Sequence, residues 1–158
     1  MKISRREDIE APLDVVFREV TDFAAFERSA LRRGVEVSRL DDMTAAGPGN
    51  IWAACAQVRS KPREFTIRLA SWIPGTAMVL DIDSSGFLAT MNVDLVELSR
   101  ARTRLQVGVE VKAVTMTSRL LLQSAKLAKG SLEKRFAKRV GDFARDIELR
   151  HRKAARSI

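Results

Sequence analysis

Residues 102–115, RTRLQVGVEVKAVT, place Leu105, Val107, Val109 and Val111 on one face of a strand and Arg104, Gln106, Glu110 and Lys112 on the other. Three residues later the period changes. From Ser118 to about Lys153, Leu121, Ala125, Ala128, Leu132, Phe136, Val140, Phe143 and Ile147 recur at intervals of three and four, the spacing of one long amphipathic helix. A strand apolar on one face, followed at once by a helix apolar along one stripe, predicts that the two cover each other.

The chain ahead of this junction reads as a meander. Strands are expected over Val35–Leu40, Ile51–Val58, Arg63–Trp72, Ala77–Ile82 and Phe87–Leu98, with the last from Arg102 to about Thr115. The turns between them, such as Gly47-Pro48-Gly49, Ser60-Lys61-Pro62, Pro74-Gly75 and Ser84-Ser85-Gly86, are too short for helical crossovers, so successive strands should pair antiparallel. Lys2–Glu10 reads as an opening edge strand. Pro12 suits the start of a helix carrying Leu13, Val16, Phe17 and Val20. A second short helix carries Phe23, Phe26 and Leu31 and stops at Gly34. The expected architecture is α+β, in one domain over residues 1–158: a curved seven-stranded antiparallel sheet gripping a long C-terminal helix, with two short helices between strands 1 and 2. Gly130 should weaken or kink the closing helix.

A chain of 158 residues can bury a true core without metal or disulfide staples. Its one cysteine, Cys55, lies in the apolar run IWAACAQV and reads as a packed small residue. No apolar signal segment opens the chain and no run is long enough to span a bilayer, so a cytoplasmic protein is expected. The net charge of +8 lies wholly within residues 117–158, where twelve Lys or Arg face four Asp or Glu. A basic face so confined can have a partner, whereas a diffuse excess would bear only on solubility.

The run Ile9-Glu10-Ala11-Pro12-Leu13-Asp14-Val15-Val16-Phe17-Arg18-Glu19-Val20-Thr21-Asp22-Phe23 resembles the opening of START-like proteins of the polyketide cyclase/dehydrase type, the SRPBCC superfamily. Trp52 and the terminal amphipathic helix are similar to that family as well. The resemblance implies a helix-grip fold with a cavity between sheet and helix. Family members bind sterols, lipids, quinones, polyketides and hormones, and a minority catalyse cyclisation or dehydration. The superfamily has no shared catalytic motif to carry onto this chain.

Strand parity and the helix stripe select the candidate lining: Trp52, Phe65, Ile67, Leu69, Met78, Leu80, Phe87, Met91, Leu105, Val107, Leu132 and Phe136. Trp72 falls on the outward parity. Aromatic rings and flexible Met side chains suit a pocket for an apolar ligand, although the same pattern would also make a filled core. Glu97 continues the inward parity beyond Leu95 and is the one candidate polar cavity group; a surface pairing with Arg100 or Arg102 is the alternative. Asp41-Asp42 in a turn, and Asp81 with Asp83 on the outward parity, read as solvated. His151, the only histidine, lies in a basic tail, and with a single cysteine far away it makes neither a metal cluster nor a nucleophile pair.

No catalytic residue, metal or cofactor is therefore expected. Binding or carriage of a lipid-, quinone- or polyketide-like molecule leads. A polyketide cyclase or dehydratase is the alternative and would need a buried polar group against its substrate. A third reading uses the basic helix, with Lys126, Lys129, Lys134, Lys138 and Arg145, on RNA, a ribosome or an acidic membrane. Its two aromatic residues, Phe136 and Phe143, both lie on the buried stripe, so no stacking platform for bases accompanies the charge.

Overall fold

The computed structural model describes residues 1–157. Seven antiparallel strands, β1 (Lys2–Ile9), β2 (Glu36–Arg39), β3 (Ile51–Val58), β4 (Lys61–Ile73), β5 (Ala77–Ser84), β6 (Phe87–Ser99) and β7 (Arg102–Ala113), form one sheet in the order β1-β7-β6-β5-β4-β3-β2. Helices α1 (Leu13–Val20) and α2 (Phe23–Arg32) carry the chain from one edge of the sheet to the other. From β2 the strands run back as a meander until β7 reaches β1.

The local chemistry explains most boundaries. Asp22 caps α2 by accepting from the Ala25 N–H, and Gly34, at φ +82°, supplies the left-handed step that ends it. The β3–β4 hairpin turns on Arg59 and Ser60, both at positive φ, so β4 starts at Lys61 and includes Pro62 instead of following it. Gly86 has no room for a side chain. A Cβ there would lie 3.0 Å from the Ser118 Cβ, because the β5–β6 turn abuts the start of the next helix.

The closing helix is two helices. α3 (Met116–Leu127) begins with a reciprocal capping box between Thr115 and Ser118, and α4 (Lys129–Arg156) follows a break at Ala128. The expected single helix from Ser118 thus starts earlier and is interrupted, and the break falls two residues before Gly130. α4 packs chiefly along β1, where Val140, Gly141, Ala144 and Ile147 are buried, and the Arg150 guanidinium bonds both oxygens of Glu19 on α1. No helix among the described residues is long and apolar enough to cross a membrane.

The core joins Ile9, Val16, Val20, Trp52, Leu69, Leu80, Leu105, Val140 and Ile147. Trp72 departs from its expected outward position. The β4–β5 register shifts between Leu69 and Ser71, and this bulge re-aims Trp72 toward Phe17, with ring centroids 5.8 Å apart. Leu31, expected on the buried stripe of α2, is exposed instead. Glu97 is exposed too. The alternation of β6 holds through buried Leu95, but the pairing with β5 ends at Asp94, so the strand end beyond it is flanked by β7 alone. Arg102 pairs with Asp8 and Glu10, not with Glu97.

Candidate functional site

Two spaces open between the sheet and its helices. The first, of about 570 Å³, lies under α2 and α4. Its floor is the inward face of β3 to β7, where Trp52, Ile67, Met78, Leu80, Met91, Leu105 and Val107 project together, and Phe136 reaches it from α4. Phe23 from α2 packs edge-on against Trp52 at 5.1 Å, and Phe26 stacks at a tilt on Phe143 at 5.5 Å, so aromatic rings join the two helices over the cavity.

The second space, of about 1240 Å³, lies at the opposite end of the sheet, beneath α3 and beside the β3–β4 and β5–β6 hairpins. Phe65 and Phe87 line this space and not the first, together with Cys55, Leu121 and Ala125. The Arg63 guanidinium lies over the Phe87 ring at 5.2 Å. Leu69 is wholly buried and Leu132 is half-buried, and neither lines a space. The lining residues expected to share one pocket are thus divided between two spaces at opposite ends of the sheet. Their inward parity is common, but the helices above them differ.

The smaller cavity has a polar corner. Trp52 Nε1 donates to Glu27 Oε1 at 2.7 Å, and the Arg39 guanidinium approaches the same oxygen at 3.7 Å while lying over the Trp52 ring at 5.0 Å. Arg39 also makes a two-point bond to Asp41, at 2.6 and 3.1 Å. Asp41 accepts in addition from the backbone N–H groups of Ile51 and Met43. These donors, the guanidinium first, hold its carboxyl well below the ordinary aspartate range.

Asp41 is therefore not the solvated turn residue its sequence context suggests: its side chain is only 8% exposed. Asn50, fully buried, fastens the same loop by accepting from the Gly47 N–H and donating to the Ala45 carbonyl.

Glu27, Asp41 and Asn50 were not selected by sequence reasoning. One signal existed for Glu27. With Phe23, Phe26 and Ala30 it occupies the i, i+3, i+4, i+7 face of α2, so an acid stands in an otherwise apolar stripe. The loop residues gave no such signal, because their partners are set by the tertiary path of residues 40–51.

Glu97, the expected polar group, lies outside both cavities. His151 lines neither of them. Among the described residues no cluster of three or more His, Cys, Asp or Glu could hold a metal ion.

No family model matches the sequence, and no curated protein matches it in sequence. The fold, by contrast, has many counterparts among solved structures. The Zhui aromatase/cyclase from Streptomyces sp. R1128 superposes with a TM-score of 0.69 at 15% identity, over 98% of this chain and 97% of the other. A START superfamily protein from Mycobacterium smegmatis matches at 0.56 and 14% identity, over 85% and 95%. The chain has the START-like helix-grip fold. Norcoclaurine synthase from Thalictrum flavum, in complex with dopamine and hydroxybenzaldehyde, matches at 0.67 and 12% identity, over 96% and 87%. At such identities the helix-grip likeness speaks for architecture alone.

Proposed function

We propose that this helix-grip protein binds a hydrophobic small molecule of lipid, quinone or polyketide type in the cavity beneath α2 and α4. The observation that carries the reading is the cavity itself. About 570 Å³ of space is walled by Trp52, Ile67, Met78, Leu80, Met91, Leu105, Val107 and Phe136, within the size range of small-molecule sites. A filled core would have closed these side chains on one another. Filling the space with ligand removes apolar surface from water on both sides, worth about 25 cal/mol per Å². The fold-mates support the reading at the level of architecture, since one is an aromatase/cyclase and another holds two small aromatic molecules.

Native mass spectrometry of protein purified from its own host tests the proposal. A co-purifying apolar mass is expected, and it should be absent from Met91→Trp, whose indole would occupy the cavity while the fold persists. A bare protein mass in both, with no uptake of added naphthalene-sized probes, contradicts it.

A second reading is that the basic C-terminal segment meets anionic surfaces, and the charge pattern supports it at α3 more than at α4. Lys129, Lys138 and Arg145 pair with Glu133 or Asp142 on their own helix. α3 differs. Met116, Leu120 and Leu127 are 73%, 65% and 91% exposed, residues 114–132 include no acid, and Arg119 and Lys126 form no ion pair among the described residues. Weak, salt-sensitive binding to phosphatidylglycerol vesicles is expected, reduced in Arg119→Glu/Lys126→Glu. Equal vesicle binding by the two proteins would exclude this role for α3.

A further inference from the structure

Glu27 occupies a position that the pattern of α2 assigns to an apolar side chain, and it lines the cavity there. Its side chain is one-third exposed, and the protein holds the carboxylate from one side only. Trp52 Nε1 donates to its Oε1 at 2.7 Å, and Arg39 approaches that same oxygen. Arg39 is in turn fixed by Asp41, and Asp41 by the β3 backbone at Ile51 and the loop backbone at Met43. Trp52, the direct donor, is a floor residue in β3 and is itself buried. The chain of bonds thus runs from the sheet to Oε1 and stops. No described residue donates to Oε2.

The geometry points to Glu27 Oε2 as the hydrogen-bond acceptor for a hydroxyl group on the ligand, so that the cavity selects apolar molecules bearing an alcohol or phenol. This rests on the cavity being the ligand site. A carboxylate can only accept, so the complementary group on the ligand must donate. The floor beside it, Ile67, Met78, Leu80, Met91, Leu105 and Val107, is apolar, and the other polar groups of the lining, Ser29, Arg33, Arg139, Asp142 and Asp146, come from the helical side.

The surrounding charges argue against a cationic donor. Arg33 and Arg139 line the same cavity, and Arg39, paired with Asp41, stands behind Glu27. Of the two other acids on the lining, Asp142 is already paired with Lys138 and Arg145, and Asp146 forms no ion pair among the described residues. An ammonium ligand would lose against the guanidinium groups part of what it gains from Glu27 and Asp146. A neutral hydroxyl meets no such penalty. Preorganisation by the Asp41–Arg39–Trp52 chain means that little side-chain freedom is lost when the bond forms.

The test uses the full chain and three probes that share one ring system: 2-naphthol, 2-methoxynaphthalene and 2-naphthoic acid, titrated calorimetrically at neutral pH. Wild-type protein should bind 2-naphthol about tenfold or more tighter than the methyl ether, the factor expected for one hydrogen bond to a charged acceptor. Glu27→Gln keeps an acceptor for Trp52 but turns an amide N–H₂ toward the ligand. In that variant the preference for naphthol should vanish or invert, while affinity for the ether is retained.

Equal wild-type affinities for naphthol and ether would overturn the assignment and leave the cavity reading standing. Tightest binding of the naphthoate would overturn it in favour of Arg33 and Arg139. A naphthol preference unchanged in Glu27→Gln would place the acceptor elsewhere. Failure of all three probes to bind would overturn the cavity reading and, with it, this one.

Discussion

The two ends of the helix grip are built from the same sheet and differ in their cover. Under α2 and α4, helical side chains interlock with the sheet: Val140, Ala144 and Ile147 are buried, Phe26 meets Phe143, and Arg150 ties α4 to α1. Under α3 the strands present equally apolar residues, Phe65 and Phe87 among them, yet Ser118 is the only buried residue of the helix above. The space there is more than twice as large. Alternation along a strand therefore decides which face is apolar. Whether that face becomes core, cavity or open groove depends on how closely a helix approaches, and at the break near Ala128 that approach changes.

If this contrast is correct, truncations at the two ends should have unequal costs. Ile147→Ala removes a fully buried side chain at the closed end and should destabilise the fold by about 2–5 kcal/mol in chemical denaturation. A loss below about 1 kcal/mol would mean that α4 is not part of the cooperative core.

The polar corner sharpens the comparison through acid. Asp41 has its ionisation favoured by Arg39 and by backbone N–H groups, so its folded-state value lies below the ordinary 3.8. A group depressed in this way contributes stability that is fully present above its unfolded value and is lost as pH falls through the folded one. Stability should hold from pH 7 to about 5 and fall below about pH 4. Asp8, held down by Arg104, and Asp142, held down by Lys138 and Arg145, add in the same direction. Asp41→Asn should be less stable at neutral pH and should lose less on acidification. Parallel pH profiles for the two proteins would remove Asp41 from the account.

Smaller effects are expected at the open end. Thr115→Ala deletes the cap of α3 and should cost that helix about 1 kcal/mol. Because α3 touches little else, the change should appear as faster amide exchange over residues 119–127, with only a minor shift in the global melt. Leu127→Ala, at a side chain 91% exposed, should change stability by no more than about 0.5 kcal/mol. A loss of 2 kcal/mol there would show that α3 is packed as tightly as α4.

Much of this architecture was legible because it follows from periodicity. The alternation in β7 and the three-and-four spacing from Leu132 to Ile147 set strand, helix and mutual burial without reference to anything distant. What escaped depends on events that leave no periodic trace. The bulge near Ala70 inserted one residue into β4 and re-aimed Trp72. Glu97 kept its parity but lost its neighbour on one side, since no pattern within β6 records where β5 ends. Asp41 looked like a turn residue because its partners, Arg39 and the backbone of Ile51 and Met43, meet only when the loop closes. Glu27 was the one legible omission, an acid set into the apolar stripe of α2.

The central claim is that ligand enters the closed end, and a nuclear magnetic resonance titration of ¹⁵N-labelled protein with 2-methoxynaphthalene tests it most directly. The account predicts saturable shifts of the Trp52 indole N–H and of the Met91 and Phe136 amides, with Leu121, Leu122 and Ala125 unmoved. Shifts confined to Leu121, Leu122 and Ala125, with the Trp52 indole unchanged, would contradict it.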